Sequence, residues 1–441
     1  MQHRVDIMMH TDCIGTLIYD AQLHQFSFQY SVAWLDREDR FPLNPQLPFA
    51  PGSEVNKEVH SASVRQFFEN LLPEGRALDD VALAHQVSKA NLMAILLAIG
   101  KETSGALSIG ENNQQDKLRK LPLSEISERI RSRPHQPFTL WDGKVRLSIA
   151  GFQDKIAALK LDDQWFLPEG PSYASTHILK PEPVSGVMRG MTSNEFFCMR
   201  LAKRIGLAVA DVQLMHMPEP VLVISRFDRK LTQHGVERLH YIDGCQALGL
   251  SVSYKYEHNF GAGKDVRHIR DGASYLKLFK LIDQHTPTPT QQRLLLLRWA
   301  IFQVLIGNVD AHAKNLSFRS SSAGLSLAPA YDLVSGLSFK EQNLDRNYAM
   351  AIGDAFLAED LSPYEWANFA NTCHLPISIV STTLKQESTK ILQVLDDVYH
   401  EVKNEGADVE HVQRIVSSVK VECQRQQTMA IAVKKVSSDL F

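Results

Sequence analysis

The sequence predicts an α+β protein in three parts: a mixed N-terminal module, a strand-rich segment and a helical remainder. Alternating apolar runs dominate the first half and helix-period repeats the second. A polar stretch, Glu111–Lys120, and the Arg131–Pro137 segment separate the first module from the strand-rich one. At 441 residues and 44% hydrophobic, the chain can bury one large core or two or three smaller ones. The expected boundaries are 1–135, 136–227 and 228–441.

In chain order, Val5–Met9, Gly15–Tyr19 and Gln25–Tyr30 alternate as short strands, and Val64–Leu72 and Asn91–Ile99 read as helices. From Lys144 the strands crowd together: KVRLSIA, a turn at Gly151, KIAALKL, a turn at Asp162-Asp163, WFL and THILKP. That spacing predicts a small antiparallel sheet. In MTSNEFFCMRLAKRIGL, Phe197, Leu201 and Ile205 recur at helical spacing until Gly206 ends the helix. Strands over Val209–Leu214 and Val221–Ile224 lead to Ser225-Arg226-Phe227-Asp228, after which strand signals nearly vanish. Helices are expected at Tyr275–Gln284, Pro289–Ile306, Pro363–Ala370 and Ile391–Lys403. Thr288, Pro289 and Gln291 make a capping box for the second of these, whose run LLLLRWAIFQVLIG is apolar on nearly all sides and so belongs in a core.

Composition excludes several classes. The start, MQHRVDIMMHTDCIG, carries scattered charges, and no stretch reaches the ~20 apolar residues that span a bilayer, so a soluble, cytoplasmic chain without membrane contact is expected. Five dispersed cysteines without a C-x-x-C pair argue against a disulfide framework or structural zinc. A net charge of −3 gives no general attraction to nucleic acid. Seventeen histidines show no metal-ligand spacing, and no G-x-S-x-G or P-loop motif occurs.

After the apolar helix comes Gly307-Asn308-Val309-Asp310-Ala311-His312-Ala313-Lys314-Asn315, polar groups crowded onto a loop. Asp310 and Asn315 stand in the D-x-x-x-x-N relation with which protein kinases receive the acceptor hydroxyl's proton and hold magnesium. Further on, Ala330-Tyr331-Asp332-Leu333-Val334-Ser335-Gly336 offers a second acid suited to a metal. Asp and Asn also cap and turn loops, and singly that explanation suffices; the combination with Asp332 and the strand-rich segment upstream favours phosphoryl transfer. Lys180 in THILKPEP is placed to meet nucleotide phosphates, or else is a strand-end lysine reaching water. Glu195 is either its partner or, with Thr192, part of a capping box. The turn Ser148–Lys155 would face a triphosphate with backbone N–H groups, though an ordinary hairpin reads the same. Ser225 to Phe227 would present backbone groups to an adenine ring.

LSIAGFQDKIAAL, THILKP, SNEFFCMRLAKRIGL, SRFDR, GNVDAHAKN and YDLVSG, together with VRQFFENLLPEG and LLAIGKETSGALSI, resemble the HipA toxin family in order and spacing over roughly residues 1 to 400. The resemblance implies a bilobal fold similar to protein and phosphoinositide kinases, with an extra N-terminal subdomain and a helical C-terminal lobe. It implies an ATP- and Mg2+-dependent serine/threonine protein kinase, the toxin of a toxin–antitoxin pair. Carried over by motif, Asp310 is the catalytic base, and Asn315 and Asp332 hold magnesium. Lys180 contacts phosphate, as would Ala150, Gly151, Phe152, Gln153, Asp154 and Lys155. Ser225, Arg226, Phe227, His312, Ala313, Lys314, Asn315, Tyr331 and Asp332 complete the nucleotide site. Ser148 matches an autophosphorylated serine whose modification inactivates the enzyme. Ser225 stands where the best-known member has glutamate, a change that a backbone contact tolerates. Implied partners are a HipB-like helix-turn-helix antitoxin, operator DNA mainly through it, and a translation-related substrate such as glutamyl-tRNA synthetase. Two other readings stand beside it: a small-molecule kinase, which shares Asp310, Asn315 and Asp332, and a non-catalytic co-repressor binding a DNA-binding partner, against which the intact acid pair argues.

Overall fold

The computed structural model describes residues 1–50, 56–111, 115–142, 144–145, 153–339 and 345–440. The chain divides into two compact units. The first comprises Met1–Val184, Met215–Val252 and Phe318–Leu325, and the second Ser185–Leu214, Ser253–Ser317 and Ser326–Phe441.

Two larger sheets dominate the described residues of the first unit. In one, Gln25–Tyr30, Asp12–Asp20, Gln2–Met9 and Leu107–Ile109 are antiparallel neighbours in that order. Their alternation buries Ile7, Ile14, Leu17 and Phe28 on one face, against which helix Lys57–Glu69 sets Phe68, 6.0 Å from the Phe28 ring. The other is the antiparallel sheet expected downstream, with Pro220–Ser225, His177–Pro181, Ile156–Leu161, Gln164–Glu169 and Lys117–Lys120 as successive neighbours. Trp165, Leu167, Leu179, Val221 and Val223 pack beneath it with Ile130, Phe138 and Trp141. Residues 100–109 are joined to this unit's later segments by charge. Asp228 accepts from Arg226 Nε at 2.9 Å and from Arg226 Nη2, Arg229 Nη1 and the Gly105 N–H at 2.8 Å each. Glu102 lies 3.5 Å from Arg226 Nη1 and accepts from the Ser175 N–H at 2.8 Å.

The second unit is built from Met191–Arg204, Tyr275–His285, Pro289–Ile306, Pro363–Thr372, Ile377–Asn404 and Val409–Val433. Pro289–Ile306 is its axis: Leu296, Leu297, Ile301, Phe302, Leu305 and Ile306 are fully buried, and the helix packs against Tyr275–His285, Ile377–Asn404 and Val409–Val433. An all-round apolar helix is stable only so enclosed.

Three expectations need correction. Strands do not vanish after Asp228: Arg229–Thr232 pairs with Gly235–Arg238, and Tyr241–Asp243, Ser317–Ser321 and Gly324–Leu327 are also extended. These strands are short and carry charged or polar residues on their open faces, so their apolar alternation is weak. Thr288 makes no side-chain cap bond, although Pro289 does occupy the first helical turn. The helix holding Glu195 begins at Met191 with Gly190 as its N-cap, so Thr192 lies inside it and forms no capping box.

Candidate active site

Helix Pro289–Ile306 stops at Gly307, whose φ of 63° is left-handed. A Cβ there would sit 2.3 Å from Leu337 Cγ, so glycine alone satisfies both the turn and the packing. Asn308 forms the next bend: its Nδ2 donates to Gln303 Oε1 at 2.8 Å and its Oδ1 accepts the Asp310 N–H at 3.0 Å. Asp310 therefore emerges at the crest of the loop, its side chain 59% exposed. The loop then closes on itself. His312 N–H donates to Asp310 O at 2.8 Å, Asn315 N–H to His312 O at 2.9 Å, and Asn315 Nδ2 to Asp310 O at 2.8 Å. The five-residue spacing of Asp310 and Asn315 is thus what lets the amide clip the turn.

A second loop is fastened to the first. Tyr331 donates its hydroxyl to Lys314 O at 2.7 Å and shares a 2.7 Å hydrogen bond with Ser317 Oγ. Gly336 N–H donates to Gly307 O at 3.0 Å. Between these anchors Asp332 has φ 56°, a left-handed backbone that a non-glycine residue occupies at a cost of about 1–3 kcal/mol and that clusters at functional sites. The stretch just beyond is gripped by buried Asn194, whose Oδ1 accepts the Ser335 N–H at 2.8 Å while Nδ2 reaches Ser335 O at 2.9 Å and Ser338 Oγ at 3.0 Å.

His312 is buried between the two loops. Burial, then the nearby Lys255 charge, push its imidazole down to about 3, with Asp332 pulling the other way. It is neutral at physiological pH, and its Nε2 lies 3.9 Å from Asp310 Oδ1, too far for a hydrogen bond. Ala313, Lys314 and Asn315 are also buried.

Three residues near these loops were given no role by the sequence: Asn308, which lay within the quoted loop, and Lys255 and Tyr256, which did not. Lys255 O accepts the Ala313 N–H at 3.1 Å, and Tyr256 donates its hydroxyl to Asp310 Oδ1 at 2.5 Å. The only local signal is a polar run, Lys255-Tyr256-Glu257, in a stretch without helical or strand periodicity.

The other expected residues lie in the first unit, except Glu195, which is buried on helix Met191–Arg204 of the second. Lys180 is 6% exposed on strand His177–Pro181, so it is not a strand-end lysine extended into water. Gln153 donates to Pro181 O at 3.3 Å, Asp154 lies 3.7 Å from Arg133, and Lys155 is buried. Ser225 ends its strand opposite His177, the Arg226 N–H is taken by Thr176 O at 2.9 Å, and Phe227 packs edge-on to Tyr241. The Arg226 side chain is committed to Asp228. Ser148, Ala150, Gly151 and Phe152 fall outside the described residues.

Were Asn315 and Asp332 to hold a metal, both would offer it oxygen. Among the described residues no cluster of three or more His, Cys, Asp or Glu exists to hold a metal, so a cation here would draw its remaining ligands from phosphates and water, the usual habit of magnesium. Among the same residues no helix is long and apolar enough to cross a membrane.

Comparison with known proteins accounts for most of the chain. The family described as HipA-like C-terminal domain matches residues 147–405, and that described as HipA N-terminal domain matches 5–110. The serine/threonine-protein kinase toxin HipA of Shewanella oneidensis is 36% identical over 392 residues, 87% of each chain. A solved complex of Shewanella oneidensis HipA, HipB and operator DNA contains a chain with TM-score 0.86 and 33% identity, covering 98% of this chain and 100% of that one. The chain is a member of the HipA family and, with it, a protein kinase of the serine/threonine class.

Proposed function

We propose that this kinase is the toxin of a type II toxin–antitoxin module, transferring the γ-phosphoryl group of ATP to a serine or threonine of a translation-related protein. The observation that carries the site assignment is the fastening of two loops to each other, Tyr331 to Lys314 O and Gly336 to Gly307 O. It holds Asp310, Asn315 and Asp332 on one rigid frame, and phosphoryl transfer depends mainly on such positioning. Asp310 would receive the acceptor hydroxyl's proton as the new O–P bond forms and ADP leaves. Magnesium on Asn315 and Asp332 would supply neutralising charge for the phosphates. Lys314 and Lys180 are buried, and we assign both, with 150–155, 225–227, 312–313 and Tyr331, to nucleotide binding.

Cytoplasmic action is part of the proposal, in keeping with five cysteines of which none forms a disulfide. A HipB-like antitoxin is proposed because the Shewanella relative was solved with HipB and operator DNA. Operator contact would run mainly through that partner, and glutamyl-tRNA synthetase is the proposed substrate. Autophosphorylation at Ser148 would place about −1.5 to −2 charge beside the phosphate site and repel ATP.

The test is incubation of the purified chain with labelled ATP and magnesium, with and without glutamyl-tRNA synthetase, followed by peptide mapping. Label on a serine or threonine in wild type, absent from Asp310→Asn, is expected. No label on either protein, or equal labelling by the variant, would overturn the assignment.

A further inference from the structure

The segment Ser253–Glu257 has no role in the proposed transfer, yet it delivers a hydroxyl to the proposed base. Tyr256 donates to Asp310 Oδ1 at 2.5 Å. Asp310 stands on an exposed crest, and an exposed carboxylate samples several rotamers unless something selects one.

Tyr256 is built to make that selection. Its ring meets the buried His312 ring edge-on, centroids 5.0 Å apart at 88°. The residue before it is tied to the catalytic loop through Lys255 O and the Ala313 N–H at 3.1 Å. The residue after it is fixed twice: the Glu257 N–H donates to Ala349 O at 2.9 Å, and Glu257 Oε2 accepts the Ala351 N–H at 2.8 Å. One residue further back, Tyr254 O accepts the Ala273 N–H at 2.9 Å. A phenol anchored on both sides of its backbone and packed along its ring is a stiff post, and a post can fix what it touches.

We infer that Tyr256 is a positioning residue for phosphoryl transfer, its hydroxyl holding the Asp310 carboxylate in the rotamer that meets the acceptor hydroxyl, an inference that rests on the reading of Asp310 as the base. Nucleotide affinity does not depend on this bond, because Tyr256 acts on the proton-receiving group. Rate and affinity therefore separate in its absence.

Tyr256→Phe removes the hydroxyl and keeps the ring. The full-length variant, dephosphorylated, is compared with wild type and Asp310→Asn by label transfer from γ-labelled ATP under single-turnover conditions, into the chain itself and into dephosphorylated casein. Binding of a non-hydrolysable ATP analogue with magnesium is measured in parallel, and thermal melts check folding. The expected result is a transfer rate lowered about 10- to 100-fold with analogue affinity within about twofold of wild type and an unchanged melt. A transfer rate equal to or above wild type, with Asp310→Asn inactive, overturns the role of Tyr256 alone. Rate and affinity falling together also overturn it, since that is the mark of a general structural part. Full transfer by Asp310→Asn removes the base assignment, and the role of Tyr256 with it.

Discussion

Asp228→Asn is the substitution whose effect on folding the structure defines best. The side chain is 10% exposed and its carboxylate receives four donors: two from Arg226, one from Arg229 and the Gly105 N–H. The Arg226 and Arg229 side chains are 3% and 0% exposed. Around them Glu102 and Arg238 complete a cluster of three cations and two anions, which the substitution turns into three and one. Burial first and Arg226 second push the Arg229 guanidinium down, and Asp228 is the largest influence opposing them. Removing one partner of a buried pair costs about 3–5 kcal/mol, a large part of the roughly 5–15 kcal/mol that holds a domain together. At about 2–4 °C per kcal/mol the melting midpoint should fall by roughly 6–20 °C. The assay is a urea titration and thermal melt by circular dichroism, with Asp163→Asn alongside. Asp163 also meets a cation, Lys160 Nζ at 3.0 Å, but its side chain is 94% exposed, so its loss should leave the midpoint almost unchanged. Equal small effects from both variants would refute the reasoning, since they would mean that the Asp228 cluster is as well solvated as the surface pair.

Three further outcomes are expected. Asp332→Gly should abolish label transfer in a chain that still folds cooperatively in a thermal melt, because glycine adopts the left-handed backbone without strain; retained transfer would exclude Asp332 from the site. Asn194→Leu should destabilise by roughly 2–4 kcal/mol in a urea melt, because it strands the buried Ser335 N–H and carbonyl; a loss below about 1 kcal/mol would mean those groups find other partners. His240, buried and bonded to Leu43 O, is pushed down to about 4 by burial. The unfolded imidazole titrates near 6.5, so between those values the unfolded state binds more protons, and the contribution is full above 6.5 and lost as pH falls toward 4. Wild type should lose about 2 kcal/mol more than His240→Gln between pH 6.5 and 5 in paired urea titrations, and identical pH profiles would contradict this.

What the sequence disclosed was local. Pro289, the apolar run behind it and Gly307 fix one helix and its end within a single window, and the clip from Asn315 to Asp310 spans only the D-x-x-x-x-N turn. The fastening of Tyr331 to Lys314 also joins near neighbours in the chain. Features made by distant residues stayed hidden. Tyr256 reaches Asp310 from 54 residues away, and Gly105 reaches Asp228 from 123, with no periodicity to announce either. The hairpin Arg229–Thr232 with Gly235–Arg238 escapes a sequence reading because Lys230, Leu231 and Thr232 are all exposed, so a two-residue alternation never develops. At Thr288 the residue type suited a cap, but its backbone, at ψ 66°, does not bring the hydroxyl to the amide.

The union of Gly307 and Gly336 constrains how this enzyme can vary. One glycine's carbonyl receives the other's amide proton, and Leu337 fills the space where a side chain at 307 would stand. Such a joint is made of main chain closed over by Leu337, so evolution can exchange the other residues displayed on either side without loosening it. Acceptor preference can therefore drift through neighbouring side chains while the chemistry stays in register. Even a methyl group added at 307 would dislodge both acids together.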